Sequence, residues 1–173
     1  MIKSSFFAFI FSLSFLIIET ALLSNISFLP VVPDLALLIL LYVSFYNGSI
    51  SGEVNGFFSG LILDFLSISP LGLNSLLRTI IGFVVGCFKD FINVDTVFFP
   101  AVLAAIATFM KALLLIIVSF FFGGKIAVYH FTESIFWIEL CMNTVLAPMM
   151  FAFLRLFPSW LLIQPKSASY AKE

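Results

Sequence analysis

The chain has 173 residues, of which 62% are hydrophobic and only 10% are charged, and its mean hydropathy is +1.22. A soluble domain of this size needs more polar surface than this composition supplies, so we interpret the chain as an integral membrane protein. Its formal net charge of -1 argues against a basic face for nucleic acid, and its length leaves no room for a separate soluble catalytic domain. We therefore expect a single transmembrane domain over residues 1–173.

Apolar runs mark the predicted helices. About 20 apolar residues cross a bilayer, and runs of this kind lie near residues 4–28, 34–47, 51–66, 74–90, 97–122 and 134–157. They predict a compact all-α bundle of six transmembrane helices, with five as the alternative. The second and third runs are short, and Asn47, Gly48 and Ser49 form a tight turn between them, so we expect these two helices to form a hairpin.

The first apolar run and the basic residues together predict the orientation. A signal peptide is the alternative for the first run, because Lys3 precedes it, but the run is long and contains Glu19, so we interpret it as a retained anchor. With the amino terminus in the cytoplasm, most basic residues outside the spans fall on the cytoplasmic side, as is usual in membrane proteins. These residues are Lys3, Lys89, Arg155, Lys166 and Lys172, whereas Lys125 falls outside. Both termini are then cytoplasmic, with a short tail over residues 164–173.

Glycines recur at every fourth position through the third predicted helix and the turn before it. The repeat consists of Gly48, Gly52, Gly56 and Gly60 and leads to Asp64, while the fourth helix carries Arg78, Gly82 and Gly86 at the same spacing. Residues four apart share one face of a helix, and glycine there lets a second backbone approach closely. We predict a packing face in each helix with a charge at its outer end. The alternative is that glycine is simply common in membrane helices.

The stretch DFLSISPLGLNSLLR begins with Asp64 and ends with Arg78. In an antiparallel hairpin that turns near Pro70, these two residues would lie at a similar depth and could form a buried pair. A lone charge at mid-bilayer costs at least about 2.5–3.5 kcal/mol, so a partner or a wet cavity is expected. We also expect Asn74 to hydrogen-bond the turn that Pro70 and Gly72 permit. The simplest alternative is a salt bridge that only fixes the hairpin.

Other ionisable residues fall in or near the same half of the predicted bundle. They are Glu19, Asp34, Lys111 and Glu139. Together with Asp64 and Arg78 they predict a polar interior that faces outward. Asp34 has an alternative interpretation as an exposed residue of the first helical turn, stabilised by the helix dipole after Pro33.

Residue types that carry chemistry are sparse. Cys87 and Cys141 fall at depths too different for a disulfide, and His130 has no second ligand at metal-binding spacing. We find no nucleophile motif and no glycine-rich phosphate loop. We therefore expect no enzyme, no cofactor and no metal site.

The sequence PDLALLILLY from Pro33, followed by the glycine repeat and GLILDFLSISPLGLNSLL, resembles the MreD family of small membrane subunits of the bacterial rod-shape and cell-elongation machinery. The resemblance covers about residues 30–90. The matching positions are Pro33, Asp34, Gly52, Gly56, Gly60, Asp64, Pro70, Gly72, Asn74 and Leu76. It implies a noncatalytic scaffold subunit in the cytoplasmic membrane of a bacterium.

The resemblance also implies partners. MreD-like proteins associate with MreC, a single-span protein with an extracytoplasmic domain, and with the membrane-bound glycosyltransferase and transpeptidase that build the lateral wall. These are coupled, directly or indirectly, to MreB filaments inside the cell. Membrane lipid completes the expected surroundings, and no nucleic acid is expected.

A second hypothesis comes from fold likeness. The family is also similar to the substrate-binding subunits of energy-coupling-factor vitamin transporters, six-helix proteins with an outward pocket. Such a carrier needs polar groups that converge in a pocket, whereas a scaffold needs lipid-facing grooves that accept a partner's helix. The glycine repeat and the 17% aromatic content favour the scaffold. An assembly subunit of an unrelated membrane complex is a third possibility.

Overall fold

The computed structural model describes residues 2–22, 31–89, 98–121, 131 and 133–163. Within these ranges the chain forms helices and no strand, which confirms the predicted all-α class. The helices are α1 (Ile2–Ile17, continued by a π-helical turn over Ile18–Leu22), α2 (Leu35–Asn47), α3 (Ser49–Leu66), α4 (Leu73–Cys87), α5 (Phe98–Phe121), α6 (Ser134–Leu154) and the short α7 (Pro158–Leu161). The predictions for Lys125, His130, Lys166, Lys172 and the tail over 164–173 lie outside the described residues.

Three of the described helical segments are long and apolar enough to cross a membrane. They are Ser4–Ala21, Phe98–Phe121 and Ser134–Leu154. Helices α2 and α4 are apolar but shorter. Helix α3 has 18 residues but is more polar, because Glu53, Asn55 and Asp64 lie in it. Length and composition therefore support a membrane protein without by themselves assigning a span to each helix.

Helix α2 is the central element of the bundle. Residues 36–45 are all buried, and α2 contacts α1, α3, α4, α5 and α6. A helix that is apolar on every side is stable only when it is surrounded. Its 13 residues give a length of roughly 20 Å, less than the hydrocarbon thickness of about 30 Å. The amino end of α2 is therefore buried within the bundle, where Asp34 begins the helix.

The carboxyl end of α2 is fixed by the chain that follows α6. The Nδ2 of Asn47 donates to the Leu161 carbonyl at 2.7 Å, and the Ile163 N–H donates to Asn47 Oδ1 at 2.9 Å. Near the start of α1, the ring of Phe7 packs on Trp160 with centroids 5.0 Å apart. The start of α1, the end of α2 and helix α7 therefore lie at the same end of the bundle.

Cys87 ends α4 and Cys141 lies in α6, and both are free and exposed on the surface of the bundle.

Candidate functional site

The glycine repeat of α3 packs directly against α4. A Cβ built on Gly52 would overlap the backbone of Gly82, and one built on Gly82 would overlap Gly52. Gly56, Gly60 and Gly86 are equally close to the backbone opposite them. The predicted close packing is confirmed for these five glycines, whereas Gly48 meets only the side chain of Lys89. The partner of the five glycines is a helix of the same chain, so they are not free to receive another protein.

Asp64 caps the start of α4. Its Oδ2 accepts hydrogen bonds from the N–H groups of Gly72 at 2.9 Å and Ser75 at 3.1 Å, and its Oδ1 accepts from the N–H and Nδ2 of Asn74, both at 2.9 Å. The first N–H groups of a helix have no partner within the helix, and a negative charge is favoured there. Gly72 makes this turn possible because its φ of +92° suits a residue without a side chain. Asp64, which we expected to pair with Arg78, therefore caps the start of a helix instead.

The predicted pair between Asp64 and Arg78 is wrong. Gly60 lies opposite Asn74 and Gly56 lies opposite Arg78. Because α3 and α4 run antiparallel, Arg78 lies about two helical turns, roughly 12 Å, deeper than Asp64. The prediction placed the centre of the hairpin near Pro70, whereas this register places it several residues earlier. Asn74 was expected to hydrogen-bond the turn, whereas its N–H and Nδ2 both donate to Asp64.

Arg78 instead binds Asp34. Its Nη2 donates to Asp34 Oδ1 at 2.6 Å, and the Nζ of Lys111 donates to Asp34 Oδ2 at 2.9 Å. Asp34 Oδ1 also accepts the N–H of Leu37 at 2.9 Å, so the carboxylate caps α2 while it joins α2 to α4 and α5. Asp34 does begin a helix, but it is only 4% exposed, which rules out the alternative of an exposed residue.

The same network extends to α6. The Nζ of Lys111 also donates to Glu139 Oε1 at 2.9 Å. Asn143 accepts the N–H of Asp34 at 2.9 Å and donates through Nδ2 to Thr108 Oγ1 at 3.1 Å. Sequence reasoning missed Asn143 and Thr108 because they carry no charge. Their spacing in the sequence could have identified them, because Asn143 lies one helical turn from Glu139 and Thr108 lies one helical turn from Lys111.

Glu19 completes the group from the π-helical turn that follows α1. Its Oε2 accepts the N–H of Ala36 at 3.4 Å, beside the cap made by Asp34. π-helical turns occur often at functional positions, where they shift one side chain out of register. We name the set Glu19, Asp34, Arg78, Lys111, Glu139, Asn143 and Thr108 the Asp34 network. The structure thus brings together five of the six ionisable residues assigned to the polar interior, and Asp64 stands apart.

We predict that Gly56→Ala destabilises the bundle by about 1–3 kcal/mol, because the new Cβ overlaps the Arg78 carbonyl and must push α4 away. The direction of the stability change tests the close packing, because glycine to alanine in a helix with open space around it stabilises by about 1 kcal/mol. Unfolding in detergent measures the effect. Phe57→Leu, on the exposed face of the same helix, is the control and should change stability by less than about 0.5 kcal/mol. A stabilised Gly56→Ala variant would contradict the close packing.

Two double-mutant cycles separate the cap from the network. Asp34→Asn combined with Arg78→Gln should show a coupling of about 1–3 kcal/mol, because the residues bond directly. Asp64→Asn combined with Arg78→Gln should be additive within about 0.5 kcal/mol. The unfolding free energy in detergent is the measurement. Strong coupling in the second cycle and none in the first would restore the pairing that the structure rejects.

The family model described as rod shape-determining protein MreD matches residues 2–157, well beyond the stretch that carried the resemblance. No curated protein and no solved structure matches the chain, so the expected likeness to vitamin-transporter subunits gains no support from comparison. The family match covers the glycine face, the Asp64 cap and the whole Asp34 network. The chain therefore belongs to the MreD family of rod shape-determining membrane proteins.

Proposed function

We propose that this chain is a noncatalytic scaffold subunit of the bacterial cell-elongation complex. It acts through an MreC-like single-span protein and through the glycosyltransferase and transpeptidase that build the lateral wall, with MreB filaments on the cytoplasmic side. The observation that carries the proposal is the family match over residues 2–157.

The geometry supports a scaffold because the buried charges serve contacts between helices. Arg78 binds Asp34, and Lys111 binds both Asp34 and Glu139, so each of these ion pairs joins two different helices. Such a network fixes the relative positions of the helices. Outside it, large apolar side chains such as Phe65, Ile106 and Val145 are exposed and suit lipid or the helices of other membrane proteins.

The vitamin-carrier alternative has less support from the described residues. A carrier pocket needs a few polar groups that converge on a concave site. Three grooves on the described surface lie between α1 and α3, along α6, and between α5 and α6, and their linings are mostly apolar. No residue of the Asp34 network lines any of these three grooves.

The proposal includes six spans in the cytoplasmic membrane with both termini in the cytoplasm. Two basic residues support this orientation. Lys89, which follows α4, lies beside Gly48, the residue between α2 and α3. Arg155 donates to the Tyr46 hydroxyl at 3.1 Å, near the end of α2. Both therefore lie at the end of the bundle assigned to the cytoplasm, where basic residues accumulate.

Cysteine labelling tests this orientation with one residue type at the two ends of α3. In a background with Cys87→Ala and Cys141→Ala, Ile68→Cys should react with a membrane-impermeant maleimide on intact cells with the outer envelope opened. Ile50→Cys should react only after the cytoplasmic membrane is permeabilised. Both isoleucines are exposed, at 106% and 61% respectively. The reverse pattern would invert the topology.

Loss of the chain should make rod-shaped cells of its host wider or round, and the wild-type chain should restore their width, measured by microscopy. Purification in mild detergent should recover the MreC-like protein with the wild-type chain. Normal width without the chain, or recovery of a small molecule with no wall-synthesis partner, would contradict the scaffold and favour a carrier.

A further inference from the structure

The Asp34 network contains more acids than bases. Counted over the described residues, its carboxyl groups belong to Glu19, Asp34 and Glu139, and its bases are Arg78 and Lys111. With all of them ionised, three negative and two positive charges would leave a net charge of -1. That excess charge is costly away from water, because ionised groups in apolar surroundings are stable only when they are paired. One proton on one of the three carboxyl groups makes the network neutral.

Glu19 is the acid of the network with the fewest contacts that stabilise a negative charge. Asp34 accepts hydrogen bonds from two bases, at 2.6 and 2.9 Å, and Glu139 accepts one from Lys111 at 2.9 Å. Among the described residues Glu19 forms no ion pair, and its hydrogen bond from the Ala36 N–H is long, at 3.4 Å. Of the three acids, Glu19 therefore loses least by becoming neutral.

Arg78 has a buried donor that is not used. Its Nη2 binds Asp34, but its Nη1 has no hydrogen-bond partner among the described residues, and the residue is only 3% exposed. Glu19 and Arg78 both reach the first turn of α2, since Glu19 accepts the Ala36 N–H and Arg78 binds Asp34, two residues earlier. A negatively charged Glu19 therefore has a free cationic donor within its own network, and hydrogen bonds between such groups are strong.

We propose that Glu19 is a proton-binding site, which holds the proton that makes the Asp34 network neutral and, on releasing it, moves its carboxylate to Arg78 Nη1. The neutral acid stays beside the Ala36 N–H, where the structure places it. Glu19 is partly exposed, so a proton can reach it, and a change of side-chain rotamer is enough for the move. Release of the proton transfers the end of α1 from α2 to α4, so the packing of α1 depends on pH.

Charged residues outside the network do not face Glu19. Of the helices that pack against α1, α3 carries Glu53 and Asp64, and α7 carries no charged residue. Glu53 lies near the start of α3, at the opposite end of the bundle from Glu19, and Asp64 is occupied as the cap of α4. Lys3 lies at the other end of α1 itself. The charges that act on Glu19 are therefore those of the Asp34 network.

Infrared spectroscopy of the full chain in lipid bilayers tests the proton. A protonated carboxyl group has a carbonyl stretch apart from those of carboxylates and amides. The wild-type chain should show this band at neutral pH and lose it as the pH rises, whereas Glu19→Gln should lack it. Glu53→Gln is the matched control and should keep the band, because it changes a partly exposed glutamate outside the network. A missing band in the wild type, or an equal band in Glu19→Gln, would overturn the proposal.

The pH dependence of unfolding in detergent tests the same proton independently. The folded chain would hold a proton that the unfolded chain releases above about pH 4.3, the value for a solvated glutamate. Rising pH should then favour the unfolded chain, by up to about tenfold in the unfolding equilibrium constant per pH unit, until the infrared band is lost. Glu19→Gln lacks this loss, so it should match the wild type near pH 4 and be more stable at neutral pH. A less stable Glu19→Gln at neutral pH would show that Glu19 acts as a charged partner, which contradicts the proposal.

Solid-state NMR tests the move to Arg78 without changing that residue. The chain has two arginines, Arg78 and Arg155, and Arg155 donates to Tyr46 instead. With isotope labels on arginine nitrogens and glutamate carboxyl carbons, a direct arginine–glutamate contact should appear as the infrared band disappears, and Glu19→Gln should never show it. Loss of the band without this contact would overturn the move to Arg78. None of these measurements uses a partner protein, so their outcome is independent of the scaffold proposal.

Discussion

Asp34 places a carboxylate at the amino end of a helix that is buried on every side. The N–H of Leu37, the guanidinium of Arg78 and the ammonium of Lys111 all converge on its two oxygens. Removing this carboxylate would take an ion-pair partner from both bases and leave the buried Arg78 guanidinium uncompensated, a defect that typically costs about 3–5 kcal/mol. Because these bases belong to α4 and α5, the positions of both helices around α2 depend on one side chain.

The bundle is joined in two physically different ways. Helices do not gain a hydrophobic driving force from leaving lipid, so they associate through hydrogen bonds, charges and close van der Waals contact. The Asp34 network provides the first two and links α1, α2, α4, α5 and α6. No side chain of α3 belongs to that network, and α3 is held instead by glycine contacts with α4 and by the cap that Asp64 makes. The two systems meet in α4, whose Arg78 contributes its side chain to the network and its carbonyl to the glycine face.

The sequence predicted the helices and the glycine face correctly, but it did not predict which residues contact each other. Apolar runs located the helices, since burial in a membrane leaves few other options for a backbone. The four-residue spacing located the glycine face, because that spacing has a direct geometric meaning in a helix. The partner of Asp64 was not predictable in the same way. It depended on the register of α3 against α4, which is set where the glycines fit, with Gly56 opposite Arg78. Asn143 and Thr108 were not predicted because they are neutral. A charged residue in an apolar run must have a partner and so stands out in the sequence, whereas a neutral polar residue does not.

The distribution of polar groups bears on how such a protein recognises others. Inside, the charged groups of the Asp34 network bind one another or the start of α2, and Arg78 Nη1, which has no hydrogen-bond partner among the described residues, is buried. The glycine face is likewise occupied by α4. Recognition within the membrane must then come from the outer surface, where apolar side chains are abundant but give little specificity, since lipid is equally apolar.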